Sequence, residues 1–105
     1  MIATRGYERR AARLLSAEAR AAAEAAIVAR SEGWPVIPGT GGARKARIAL
    51  PGRGKSGGAR VIYFVLTARE ALYLLDIYAK GAKEDLTDAD KNAIRRLVAE
   101  IEAGA

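Results

Sequence analysis

RKARIALPGRGKSGGARVIYFVLTAREALYLLDIYAK, residues 44–80, holds three runs of strand chemistry separated by two breaks. In residues 44–50 polar and apolar side chains alternate: Lys45 and Arg47 fall on one face, and Ala46, Ile48 and Leu50 on the other. Residues 51–59, PGRGKSGGA, are a glycine-rich connection with Arg53 and Lys55 at its tip. Residues 60–66, RVIYFVL, are apolar on both faces and read as a central strand. Residues 67–70 make a turn, and residues 71–80 form a third strand. A regular strand there puts Leu72, Leu74, Asp76, Tyr78 and Lys80 on one face and Tyr73, Leu75 and Ile77 on the other. Three strands joined by loops predict an antiparallel meander.

Outward from this sheet the pattern becomes helical. Residues 1–3 read as the stub of a strand, and residues 7–15 carry Tyr7, Ala11, Leu14 and Leu15 at helical spacing. Residues 16–30 are Ala-rich, with high helix propensity and a thin packing face of Ala22, Ala26 and Ile27. Residues 31–42, SEGWPVIPGTGG, are turn chemistry, with Trp34, Val36 and Ile37 expected to plug the edge of the core. Thr87 is a good N-cap for a last helix reaching about residue 102, with Asp88 and Asp90 in its first turn. Its stripe is Ala89, Ala93, Ile94, Leu97, Val98 and Ile101, and either this helix or a partner's helix is expected to cover Ile62 and Phe64. The expectation is one α+β domain over residues 1–105: a small antiparallel sheet of three to four strands, packed with two N-terminal helices and a C-terminal helix.

Charge is unevenly placed. No Asp or Glu lies between Glu32 and Glu70, a window with seven Lys or Arg residues; the other segments hold eleven cations and twelve acids. The net charge of +6 therefore comes from one window, which points to a polyanion, nucleic acid first. The chain has no Cys and no His. Disulfides, thiolate metal sites and Ser-His or Cys-His nucleophile pairs are excluded, and chemistry falls to Lys, Arg, Tyr or carboxylates. No apolar run is long enough for a membrane span, and residues 1–15 lack the apolar core of a secretory signal. Lys45 and Arg47 share a strand face that Arg60 can join from the next strand. Cations at a glycine-rich loop tip, Arg53 and Lys55, suit docking to phosphate better than catalysis.

The runs GTGGARKARIALPGRGKSGGARVIYFVL and LYLLDIYAKGAKEDLTDADKNAIRRLV resemble the RelE/HigB family of bacterial type II toxins, most nearly its HigB-like branch, over roughly residues 37–99. The carrying motifs are the GTGG-x-RK-x-R entry strand, the PGRGKSGG loop, the RVIY strand, the YLL-x-x-YAK strand and the ED-LT helix start. The resemblance implies a RelE-like fold and a cytoplasmic, ribosome-dependent endoribonuclease. Such an enzyme enters the A site of the 70S ribosome and cuts messenger RNA without metal or other cofactor. It also implies a cognate antitoxin, a small DNA-binding protein that hides the basic groove, and no membrane partner. By position, Lys45, Arg47, Arg60 and Lys80 match the catalytic cations. Arg44, Arg53, Lys55 and Lys83 are expected to contact messenger or ribosomal RNA. The RelE branch has a catalytic tyrosine near its C-terminus, whereas nothing after Tyr78 is aromatic here. Tyr63, Tyr78 or Asp76 are candidate substitutes as acid or base, or a lysine serves. Two alternatives share the fold: a ParE-like inhibitor of DNA gyrase, and a non-catalytic basic RNA-binding module.

Overall fold

The computed structural model describes residues 1–50, 58–83 and 85–104. The expected loop at 51–59, with Arg53 and Lys55, lies outside them except for Gly58 and Ala59. The elements are β1 (Ile2–Ala3), α1 (Arg5–Leu14), α2 (Ala17–Ala29), β2 (Arg44–Ile48), β3 (Ala59–Leu66), a 3₁₀ turn (Thr67–Arg69), β4 (Ala71–Ala79) and α3 (Asp88–Ala103). The sheet order is β1-β4-β3-β2. β2, β3 and β4 form the expected antiparallel meander. β1 adds a parallel edge, Ile2 opposite Tyr73, so the whole sheet is mixed.

Each helix begins where a side-chain oxygen satisfies a free backbone N–H. Thr4 Oγ1 accepts from Tyr7 N at 3.1 Å and donates to the Leu75 carbonyl at 3.0 Å, so the cap of α1 is also stitched to β4. Ser16 Oγ accepts from Ala19 N at 3.1 Å. At α3 a full capping box closes: Thr87 Oγ1 accepts from Asp90 N, and the Asp90 carboxylate accepts from Thr87 N.

The helices cover opposite faces of the sheet. On one face Tyr7, Ala11, Leu15, Ala23 and Ile27 pack on Ala46, Val61, Tyr63, Leu72, Leu74 and Ile77. The buried face of α2 is rotated from the expected one: Ala23 and Ile27, with half-buried Ala19, face the sheet, while Ala22 and Ala26 are exposed. Three residues four apart make a narrower stripe than the expected trio, which spread across the helix. On the other face Ile94 and Val98 of α3 cover Ile62, Phe64, Leu75 and Tyr78. The turn before β2 is held beneath α3 by buried Thr40, whose hydroxyl donates to Ile37 O and accepts from Ala43 N. Gly42 there has φ 118° and lies against the Phe64 ring, a conformation and a clearance that favour glycine.

One irregularity changes the strand reading. Ile62 pairs with Asp76 but Tyr63 pairs with Leu74, which leaves Leu75 as an extra residue on β4. This bulge resets the alternation. Leu72, Leu74 and Ile77 face α1 and α2, whereas Tyr73, Leu75 and Tyr78 face α3. A regular β4 keeps Tyr78 with Leu72 and Leu74, so the expected face assignment is corrected at that point.

Candidate functional site

β2 and β3 pair with Arg47 opposite Arg60, and β3 and β4 with Arg60 opposite Tyr78. The three side chains form one row across the sheet, with neighbouring Cβ atoms about 5 Å apart. Lys80 extends the row's end: its N–H donates to Gly58 O at 3.0 Å, just past the Ala59–Ala79 pair. Arg47, Arg60 and Lys80, with Ile48, Ala49 and Gly58, line a cavity of about 310 Å³. Gly58 is a glycine for a local reason. A Cβ there would fall on the Ile48 carbonyl oxygen, so the wall is two backbones in close approach.

The cavity is cationic and uncompensated. Among the described residues no carboxylate pairs with Arg47, Arg60 or Lys80. Arg60 Nη1 donates to the Ala59 carbonyl, at 3.3 Å. The nearby acids are engaged elsewhere: Asp76 with Arg10 at 3.0 Å, Asp85 with Lys45 at 3.5 Å, and Asp90 with Lys83 at 2.8 Å. Like charges directly across a ladder destabilise a sheet, so this arrangement is what a site for an anion looks like before the anion arrives.

The other candidates are placed differently. Lys45 is two residues from Arg47 on the same face, but it lines a separate cleft of about 200 Å³ beside Asp85, Lys91, Pro35, Val36 and Pro38. The Leu86 N–H, and then Lys45, hold the Asp85 carboxyl below the usual carboxylate range. Arg44 points to the α1–α2 side and donates to the carbonyls of Glu32 and Trp34, at 3.0 and 2.7 Å. Lys83 sits with its Nζ 5.5 Å from the centroid of the Tyr78 ring. Tyr63 is buried on the helix-covered face away from Arg60, with its hydroxyl donating to Ser31 O at 2.8 Å; burial raises its pKa. Asp76, beside the bulge, accepts from Arg10 and from Ile77 N.

Tyr78 is the aromatic group beside the cationic row. It is only 8% exposed, and its hydroxyl is buried with no hydrogen-bond partner among the described residues. Burial first, and the Asp85 carboxylate second, raise its pKa against the opposing pull of Arg60. The phenol therefore stays protonated at neutral pH and is a weaker acid than an exposed tyrosine. Sequence reasoning missed Gly58, Asp85 and Lys91 as parts of these cavities. The signal for Gly58 was a glycine where a Gly-rich loop meets a strand. Asp85 and Lys91 gave none, because they reach Lys45 only through the fold.

A family model described as the RelE toxin of the RelE/RelB toxin–antitoxin system matches residues 8–104. That span contains α2, α3, the whole antiparallel meander and every residue lining the cationic cavity. The chain belongs to this family, and is the toxin member of a toxin–antitoxin pair with an antitoxin as its partner.

Proposed function

We propose that this toxin is a ribosome-dependent endoribonuclease that stops translation by cutting messenger RNA in the A site. The observation that carries the reading is the convergence of Arg47, Arg60 and Lys80 on one cavity with no carboxylate partner among the described residues. A ParE-like gyrase inhibitor has no need of such a cluster.

In this reading the RNA supplies its own nucleophile. The ribose 2′-oxygen attacks the adjacent phosphorus, the bond from phosphorus to the 5′-oxygen breaks, and the products are a cyclic phosphate and a 5′-hydroxyl. Arg47 and Arg60 hold the non-bridging oxygens through forked hydrogen bonds and stabilise the charge that builds on them. Lys80, in the cavity with Arg47 and Arg60, takes the proton from the 2′-hydroxyl. Tyr78 stands beside the row as the second proton carrier of this reading, giving its proton to the departing 5′-oxygen once RNA binding uncovers the buried hydroxyl. The step proceeds without metal. The antitoxin covers the same cavity, and Lys83, Arg53 and Lys55 act in binding rather than chemistry, whereas Arg44 is taken up by the Glu32 and Trp34 carbonyls.

The test is expression without antitoxin. Growth arrest is expected, with primer extension showing new breaks in translated messages, and Arg60→Ala relieves the arrest while the protein stays folded. Undiminished toxicity of that variant would sink the assigned groove. Arrest with intact messages and inhibited gyrase favours the ParE-like reading instead.

A further inference from the structure

The second cleft, around Lys45, is separate from the cationic cavity but starts two residues along the same strand face. Lys45 and Arg47 are thus about 7 Å apart along β2, a short step for neighbouring nucleotides of one strand. We infer that this cleft, walled by Pro35, Val36 and Pro38 and carrying Lys45, Asp85 and Lys91, is a base-binding subsite beside the scissile phosphate, and that Asp85 makes it select guanine. The inference rests on the RNA-cleaving reading of the neighbouring cavity.

Three features support it. At about 200 Å³ the cleft is smaller than a drug-sized ligand site and fits a single base. Its wall is apolar and stiff: two prolines have fixed φ, and Val36 is 48% exposed with its face unused. Such a surface offers van der Waals contact to a flat ring. Its polar end holds one acceptor group, Asp85, and two ammonium donors, Lys45 and Lys91. The Leu86 N–H and the Lys45 ammonium both meet Asp85 Oδ1, so Oδ2 is open among the described residues. The ion pair to Lys45 is long, at 3.5 Å, and the Asp85 side chain is 67% exposed, so the pair is weak and yields to a better partner. Lys91 is close enough to help hold the Asp85 carboxyl below the usual range.

Guanine matches that arrangement. Its N1–H and exocyclic amino group are adjacent donors, which suit a carboxylate, and its O6 and N7 are acceptors for an ammonium group. Adenine and cytosine each present one amino donor. Uracil flanks its single N–H with two carbonyls, which a carboxylate repels.

The test uses the intact protein and 2′-O-methyl RNA tetranucleotides, which lack the nucleophile. Fluorescence anisotropy compares all-uridine RNA with RNAs carrying one guanine, adenine or cytosine at each position in turn. The wild type is expected to bind the best-placed guanine about tenfold more tightly than uridine. Asp85→Asn is expected to erase that ratio, and Lys91→Ala to reduce it. Equal or undetectable binding of all four bases, or a guanine preference unchanged in Asp85→Asn, overturns the subsite. Failure of the wild type to cut any message counts against the endoribonuclease reading alone, since the binding ratio is measured without cleavage.

Discussion

Arg47 and Arg60 stand directly opposite one another across the β2–β3 ladder, with no acid paired to either among the described residues. Cross-strand pairs contribute roughly 0.2–1 kcal/mol, with the sign reversed for like charges. Arg47→Thr is therefore expected to leave the fold as stable as before or more so, by up to about 1 kcal/mol, while lowering cleavage about 10²–10³-fold. Urea unfolding and message cleavage measure the two. Loss of both together would mean that Arg47 has a structural role after all.

Gly58 gives the opposite pattern. An added methyl meets the Ile48 carbonyl oxygen, a backbone atom that cannot rotate away. Gly58→Ala is expected to cost about 1–3 kcal/mol and to open the wall of the cationic cavity. A variant with an unchanged unfolding midpoint would show that the two strands separate freely there.

Tyr78→Phe isolates chemistry from folding. The hydroxyl it removes is buried and unpartnered among the described residues, so its loss is expected to be neutral or slightly stabilising. If Tyr78 donates the proton to the leaving oxygen, cleavage falls about 10²–10⁴-fold while the unfolding midpoint holds. Full activity in the variant assigns that proton to a lysine.

The α3 cap predicts an acid-sensitive term. Asp90, bonded first by Lys83 and then by Thr87, has its pKa lowered from 3.8 to about 2. A carboxyl with a depressed folded pKa stabilises fully above the unfolded value, and the gain disappears as pH falls through the folded one. Stability from this source is thus complete above about pH 4 and lost towards pH 2. Asp90→Asn is expected to flatten the unfolding curve in that window. Thr87→Ala, which breaks the other half of the box, costs about 0.5–2 kcal/mol near neutral pH. An unchanged pH profile in Asp90→Asn would place the acid sensitivity elsewhere.

Local periodicity carried most of the fold. The three meander strands, the cap at Thr87 and the cover of Ile62 and Phe64 by α3 were legible because each depends on spacing within one segment. The row of Arg47 and Arg60 was legible for the same reason, since both lie in regular strands. The bulge at Leu75 was not. LYLLDIY is apolar on both faces, so nothing in its pattern marks where the alternation slips. That slip turns Tyr78 toward α3 and Arg60. The partnership of Lys45 with Asp85 was hidden too, because it joins residues 40 positions apart through a loop with no period. The parallel edge made by Ile2 and Ala3 rests on two residues, too few for any pattern to show.

The stitch between Thr4 and Leu75, with the Arg10–Asp76 ion pair beside it, joins segments 71 and 66 positions apart. Such long loops must close before their contacts repay them, which slows assembly. During synthesis α1 emerges with no sheet to lie on, and Arg47 and Arg60 appear before the strand that brings Lys80 to them. The cationic cavity is therefore complete only when most of the chain has left the ribosome that made it.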